Sequence, residues 1–240
     1  SSVSCGKHRK DHCQAMPSTL PSPDGSKFLQ SCLDGLEGLY GKTRFIPRFD
    51  PLEELICCIL SQSSSDTSSF PAFTRLRAAY ADWSDMAMAP PDDIALHIKA
   101  AGLVNQKTKA IQGCLKEIEL RTGRFSLEPL RAMNDDEAFG WLTSLPGVGH
   151  KTASIVLCFS FGRPAIPVDT HVLRVSKRLG LVDQKANDSK AHKGLMSVVN
   201  KEDAWRFHIL LIQHGRTLCK APNPLCHRCP ISECPSRTRA

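Results

Sequence analysis

From Asp50 onward the apolar residues recur at three-and-four spacing, and nowhere do they alternate over a β-branched stretch long enough to build a sheet. That pattern restricts the chain to packed helices. The clearest start lies at Asp50-Pro51-Leu52-Glu53, where a capping aspartate, a first-turn proline and an early acid precede a stripe of Leu52, Leu55, Ile56, Ile59 and Leu60. An earlier helix is expected after Asp24 or Ser26, on Phe28, Leu29, Cys32, Leu33 and Leu36. Further helical patterns fall at about 67–80, 92–100, 106–121, 135–143, 150–161, 170–179, 190–199 and 202–215. Short connections with Pro90-Pro91, Gly102, Gly123, Pro129, Pro164 and Gly180 separate them.

Composition narrows the class. The 240 residues are 41% hydrophobic, enough for a genuine core, which excludes a wholly disordered chain. Thirty-one Lys and Arg against 24 Asp and Glu give a formal charge of +7, which suits an acidic polymer as partner, although solubility alone would also explain it. No apolar run approaches a membrane span and the polar start has no signal-peptide core, so a soluble protein inside the cell, cytoplasmic or nucleoid-associated, is expected. Residues 1–26 lack an apolar period and read as a flexible tail, within which Cys5, His8, His12 and Cys13 have no bracketing structure for a metal site.

Two local patterns carry chemistry. The first is Leu145-Pro146-Gly147-Val148-Gly149-His150-Lys151, followed eighteen positions after the lysine by Asp169 in Val168-Asp169-Thr170-His171. A Gly-x-Gly turn lets a helix N-terminus approach a phosphate closely, and successive amides at Gly147, Val148 and Gly149 can form an anion nest. An ordinary tight turn between two helices is the plain alternative. Lys151 would sit in the first turn of the next helix, where the dipole disfavours its ammonium form and makes it a nucleophile candidate; a solvated surface lysine is the plain alternative. Asp169 reads equally as the N-cap of the following helix and as a carboxylate facing a cationic centre, and one residue can serve both roles.

The second pattern is Cys219, Cys226, Cys229 and Cys234, spaced C-x6-C-x2-C-x4-C among Pro222, Pro224 and Pro230. Four thiolates in one loop suit an iron-sulfur cluster or structural zinc, and only one C-x2-C knuckle is present where zinc ribbons pair two. Eleven cysteines, seven of them scattered, argue for a reducing compartment with a single cluster site rather than for a disulfide framework.

Taken together, the hairpin with its lysine, the Val-Asp-Thr-His segment and the cysteine loop resemble the helix-hairpin-helix DNA glycosylases of the endonuclease III family, from about Asp50 to Cys234. The resemblance implies an all-α, two-domain fold, with a six-helix domain at 52–164 and an iron-sulfur cluster domain from 27–51 and 165–240. It implies a bifunctional glycosylase and abasic-site lyase that removes oxidised pyrimidines from damaged double-stranded DNA, working as a monomer with a 4Fe-4S cluster. On this likeness Lys151 attacks C1′ of a flipped nucleotide, Asp169 activates the lysine and stabilises the sugar cation, and the hairpin with Lys220 and Arg228 holds phosphates. Leu103 fills the gap left by the extruded nucleotide, although as a leucine it could equally be core. Ser61, Asp66 and His171 match pocket positions. Three departures stand out: Gln62-Ser63 occurs where the family's gap-filling glutamine is expected at 63, His150 precedes the lysine, and the last cysteine interval is four residues rather than five. A non-catalytic DNA-binding module and an iron-sulfur electron carrier are the alternatives from other classes.

Overall fold

The computed structural model describes residues 23–238, apart from the side chains of Pro23, Asp24 and Asp66. The Cys5 to Cys13 group and most of the expected tail lie outside that range. Among the described residues all regular structure is helical. Helix α1 spans Pro23–Tyr40, starting ahead of the expected Asp24 or Ser26, so residues 23–26 belong to a helix rather than to the tail. There follow α2 (Pro51–Ser61), α3 (Asp66–Ala79), α4 (Trp83–Met88), α5 (Pro91–Ile98), α6 (Val104–Thr122), α7 (Asp135–Thr143), α8 (His150–Phe161), α9 (Thr170–Arg178), α10 (Asp188–Val198) and α11 (Ala204–Thr217). Helix α4 has no counterpart in the sequence reading, because six residues are too few to show a period.

The helix starts follow the residues that the chain places there. Asp50 accepts from the Leu52 amide at 2.9 Å and Pro51 occupies the first helical position, so α2 begins where its donors are satisfied. Asn134 and Glu137 close a reciprocal capping box at the start of α7, with both bonds at 2.9 Å. Gly123 and Gly162 end α6 and α8 in the left-handed conformation that a Cβ disfavours.

Two apolar cores result. In the first, α2 is buried almost all round, with Leu52, Leu55, Ile56, Ile59 and Leu60 fully enclosed, and it packs against α3, α6 and α8. This core runs from Leu52 to Ala165. The second draws Leu29 to Leu36 of α1 together with Ile166 to Ile231, so the first and last parts of the chain share one core. Helix α11 packs on α9 and α1 and also touches α8, which brings the two cores side by side. Among the described residues no helix is long and apolar enough to cross a membrane.

Candidate active site

The hairpin joins α7 to α8 through Leu145–Gly149. Gly147 adopts φ +73°, and a Cβ there would lie 2.6 Å from the Ala110 side chain, so glycine is required by conformation and by space. Pro146 seats against Gly113, where an added Cβ would meet the proline ring at 3.2 Å. The expected nest is narrower than the sequence suggested. Val148 is buried and its amide is already bonded to Leu145 O at 3.2 Å, which leaves Gly147, Gly149 and the first turn of α8 as the amides with no backbone partner among the described residues. Gln62 reaches this turn from the end of α2, donating to Gly147 O at 2.9 Å and to Thr152 Oγ1 at 3.3 Å.

Lys151, exposed in the first turn of α8, and Asp169, the N-cap of α9, line one hollow of about 630 Å³ where the two cores meet. Asp169 Oδ1 accepts from the Val172 amide at 2.7 Å, so the capping role is real; its second oxygen carries no further hydrogen bond among the described residues. Ser61 lines the same hollow. So does the Arg48 guanidinium, clamped by the fully buried Glu54 through Nε–Oε2 at 2.8 Å and Nη2–Oε1 at 2.6 Å.

The four C-terminal cysteines line a second, smaller hollow with an apolar floor of Val175, Leu179, Leu218, Leu225 and Ile231. Among the described residues no three potential ligands stand close enough to share one metal ion, and the nine described cysteines are all free thiols. Burial first, and then the sulfurs of Cys219 and Cys226, push the Cys229 and Cys234 thiols up, so several thiolates need a positive partner to coexist there. Arg178 supplies part of that charge, donating to Cys219 Sγ at 3.3 Å and to the carbonyls of Cys219, Lys220 and Ala221. Arg174 and Arg237 bind the carbonyls of Cys219 and Cys229.

Residues 56–201 match the model of the HhH-GPD superfamily base excision DNA repair proteins. The chain belongs to that superfamily. Endonuclease III of Bacillus subtilis (strain 168) is 35% identical over 206 residues, which cover 85% of this chain and 90% of the relative. Endonuclease III of Thermotoga maritima is 35% identical over 181 residues, covering 75% and 80%. Among solved structures, a trapped endonuclease III–DNA covalent intermediate superposes with a TM-score of 0.74 at 31% identity, over 88% of this chain and 96% of that one. The all-helical HhH-GPD fold is therefore shown by sequence and by structure alike.

Against this HhH-GPD frame the other expected residues divide. Leu103 is half-exposed at 52% and holds a left-handed backbone at φ +47°, so it is not a core leucine. Ser63 is exposed, also left-handed, at the tip of the turn after α2. Lys220 and Arg228 are exposed on the cysteine loop. His150 and His171, expected at the pocket, stand outside the Lys151 hollow. His150 does not line the Lys151 hollow; it turns to the opposite side of α8, edge-on to Phe139 at 5.3 Å, in a separate hollow shared with His192. His171 packs against Gly215 and contacts Arg174 at 3.1 Å, because α9 carries it away from the wall that Asp169 forms. The side chain of Asp66 lies outside the described part of the structure.

Sequence reasoning missed His208. It is 3% exposed, lines the Lys151 hollow, and its Nδ1 lies 3.0 Å from Pro167 O. A carbonyl only accepts, so Nδ1 carries the proton. Burial pushes the imidazole down to about 4, with Asp169 partly opposing. The sign is fixed by the two states: an unfolded histidine takes up its proton near pH 6.5, the buried one near pH 4, so acid favours the unfolded chain across that interval. The melting temperature should fall as pH drops from about 6.5 to 4, this group accounting for up to ~3 kcal/mol. His208→Gln should flatten that fall. An identical pH profile in the variant would contradict the assignment.

Proposed function

We propose that this chain is a bifunctional DNA N-glycosylase and abasic-site lyase that removes oxidised pyrimidines from duplex DNA in base-excision repair. The observation that carries the proposal is Lys151 and Asp169 on the wall of one hollow, with the lysine in the first turn behind the glycine hairpin. In this reading the free amides of α8 hold a phosphate, with Lys220 and Arg228 on neighbouring phosphates, and Leu103 fills the gap left by the extruded nucleotide. Extrusion is required because C1′ is shielded within a stacked duplex.

The unprotonated Lys151 amine attacks C1′, and the bond from C1′ to the base nitrogen breaks with its electron pair leaving on the base. The new C–N nitrogen loses a proton to Asp169; the C1′–O4′ bond then breaks with its electron pair going to O4′, which takes that proton back, while the nitrogen lone pair closes C1′=N to give the protonated imine. Release of a proton from C2′ then expels the 3′ phosphate, which cuts the strand by β-elimination. Asp169, one oxygen fixed by the cap, takes up the amine's proton and offsets positive charge as it develops on the sugar. His208, held neutral, adds no competing positive charge to the pocket.

Cys219, Cys226, Cys229 and Cys234 would hold a 4Fe-4S cluster. Four thiols line one hollow, with Arg178 donating to Cys219 Sγ, and four soft ligands with a single C-x2-C knuckle suit a cluster better than a zinc ribbon. When bound, the cluster supplies the positive metal charge that four thiolates need. Its role here is to shape the loop that carries Lys220 and Arg228, and no chemical step passes through it. The two apolar cores are read as a helical domain at 52–164, in which α2 to α8 make seven helices where six were expected because of the short α4, and a cluster domain from 27–51 and 165–240, with DNA between them. The chain works as a monomer, on DNA inside the cell.

A panel of duplexes, each with a single lesion, tests this function. Oxidised pyrimidines such as thymine glycol should be excised and the strand cut, and undamaged duplex left intact. Cutting confined to oxidised purines, or none at all, would overturn the substrate assignment.

A further inference from the structure

Lys107, in the first turn of α6, is 2% exposed, a rare condition for lysine. Its ammonium has three N–H donors and no acceptor. All three reach oxygens: Leu60 O at 2.7 Å, Ala101 O at 2.7 Å and Ser64 Oγ at 2.9 Å. Ser64 in turn donates to Ala101 O, which closes the knot. No carboxylate takes part among the described residues. Burial works against the charge and pushes the lysine's pKa down, and the three oxygens offset that cost.

The placement of this knot is what gives it meaning. Leu60 lies in the last turn of α2, where carbonyls lack intrahelical partners, and Ala101 ends the short 3-10 turn just before Gly102 and Leu103. Ser63 at φ +52° and Leu103 at φ +47° flank it, and left-handed non-glycine residues persist only where their surroundings over-determine them. Gln62 carries the connection on to Gly147 O and Thr152 Oγ1. The turn after α2 is thus tied on one side to the hairpin through Gln62 and on the other, through Ser64 and Lys107, to Ala101, two residues before the wedge.

We propose that Lys107 is a positioning residue that locks Leu103 and the Gln62–Ser64 turn into one rigid unit, so that both enter the duplex together as the nucleotide is extruded. The assignment rests on the reading of this chain as an enzyme of duplex DNA. Lys107 touches no reacting atom; it acts through the two segments that it ties. A lysine that merely capped α2 would affect every substrate to the same extent, whereas this role matters only where a stacked duplex must be opened.

The test compares Lys107→Met, similar in length but without donors, with the wild type on two substrates: a base lesion in duplex DNA and an abasic site in single-stranded DNA, which needs no extrusion. The ratio of duplex to single-strand cleavage should fall by at least roughly tenfold, with the loss in kcat rather than KM, since opening costs a few kcal/mol. A 2-aminopurine beside the lesion should report less unstacking by the variant. Ser64→Ala, which removes one of the three acceptors, should shift the ratio in the same direction by less and serves if Lys107→Met does not fold. Equal losses on both substrates, or an unchanged ratio and unchanged fluorescence, would overturn the proposal. Because the fluorescence requires no chemistry, a wild-type chain that unstacks the duplex without cutting it would sink the enzymatic reading while leaving Lys107 testable by the same signal.

Discussion

Lys151→Ala should lower strand cleavage at an abasic duplex by about 10⁴-fold, the scale of loss when a covalent nucleophile is removed. Affinity for the same duplex should change little, because the hairpin amides remain in place. Stability should hold within about 0.5 kcal/mol, since the side chain is exposed and makes no hydrogen bond among the described residues. This separates the lysine from its neighbours in the hollow. Asp169 cannot be changed as cleanly, because its Oδ1 caps α9 and the loss of a cap costs about 1 kcal/mol by itself. A Lys151→Ala protein that still cuts at the wild-type rate would move the chemistry to another amine.

The second large effect concerns the cysteine loop. Cys226→Ala, or removal of iron from the purified protein, should lower the melting temperature by about 10 °C or more. Binding energy at a site absent from the unfolded chain is folding energy, on the order of several kcal/mol, and each kcal/mol is worth roughly 2–4 °C at this size. The loop has little else to fix it: Cys226, Cys229 and Cys234 are only half-buried, and its chief anchors are arginines bonded to carbonyls. Iron and sulfide analysis should give about four of each per chain. A colourless protein with stoichiometric zinc and an unchanged melting temperature would contradict the cluster assignment.

The features legible in the sequence were those decided by neighbours in the chain. Asp50-Pro51 announced α2 because a cap and a first-turn proline act within three residues, and Asp169 announced α9 for the same reason. The hairpin was legible because Gly147 needs a left-handed backbone, a demand that glycine meets locally. What remained hidden depends on distant segments. Lys107 reads as one more surface lysine until Leu60 and Ala101 bring their carbonyls to it. His208 becomes a pocket residue only when α11 packs beside α8 and Pro167. The same dependence sets His150 and His171 apart from the Lys151 hollow. His150 adjoins Lys151 and His171 follows Asp169 by two residues, yet a helix turns successive side chains about 100° apart, so near neighbours in the chain face different walls.

The most direct test of the account is to reduce the protein with borohydride on a duplex containing an abasic site and to map the covalent adduct by peptide mass spectrometry. An imine at Lys151 would be fixed as a stable amine, so the sugar remnant should appear on the peptide that contains Lys151 and vanish in Lys151→Ala. An adduct on any other residue, or abundant cleavage with no trapped species, would contradict it.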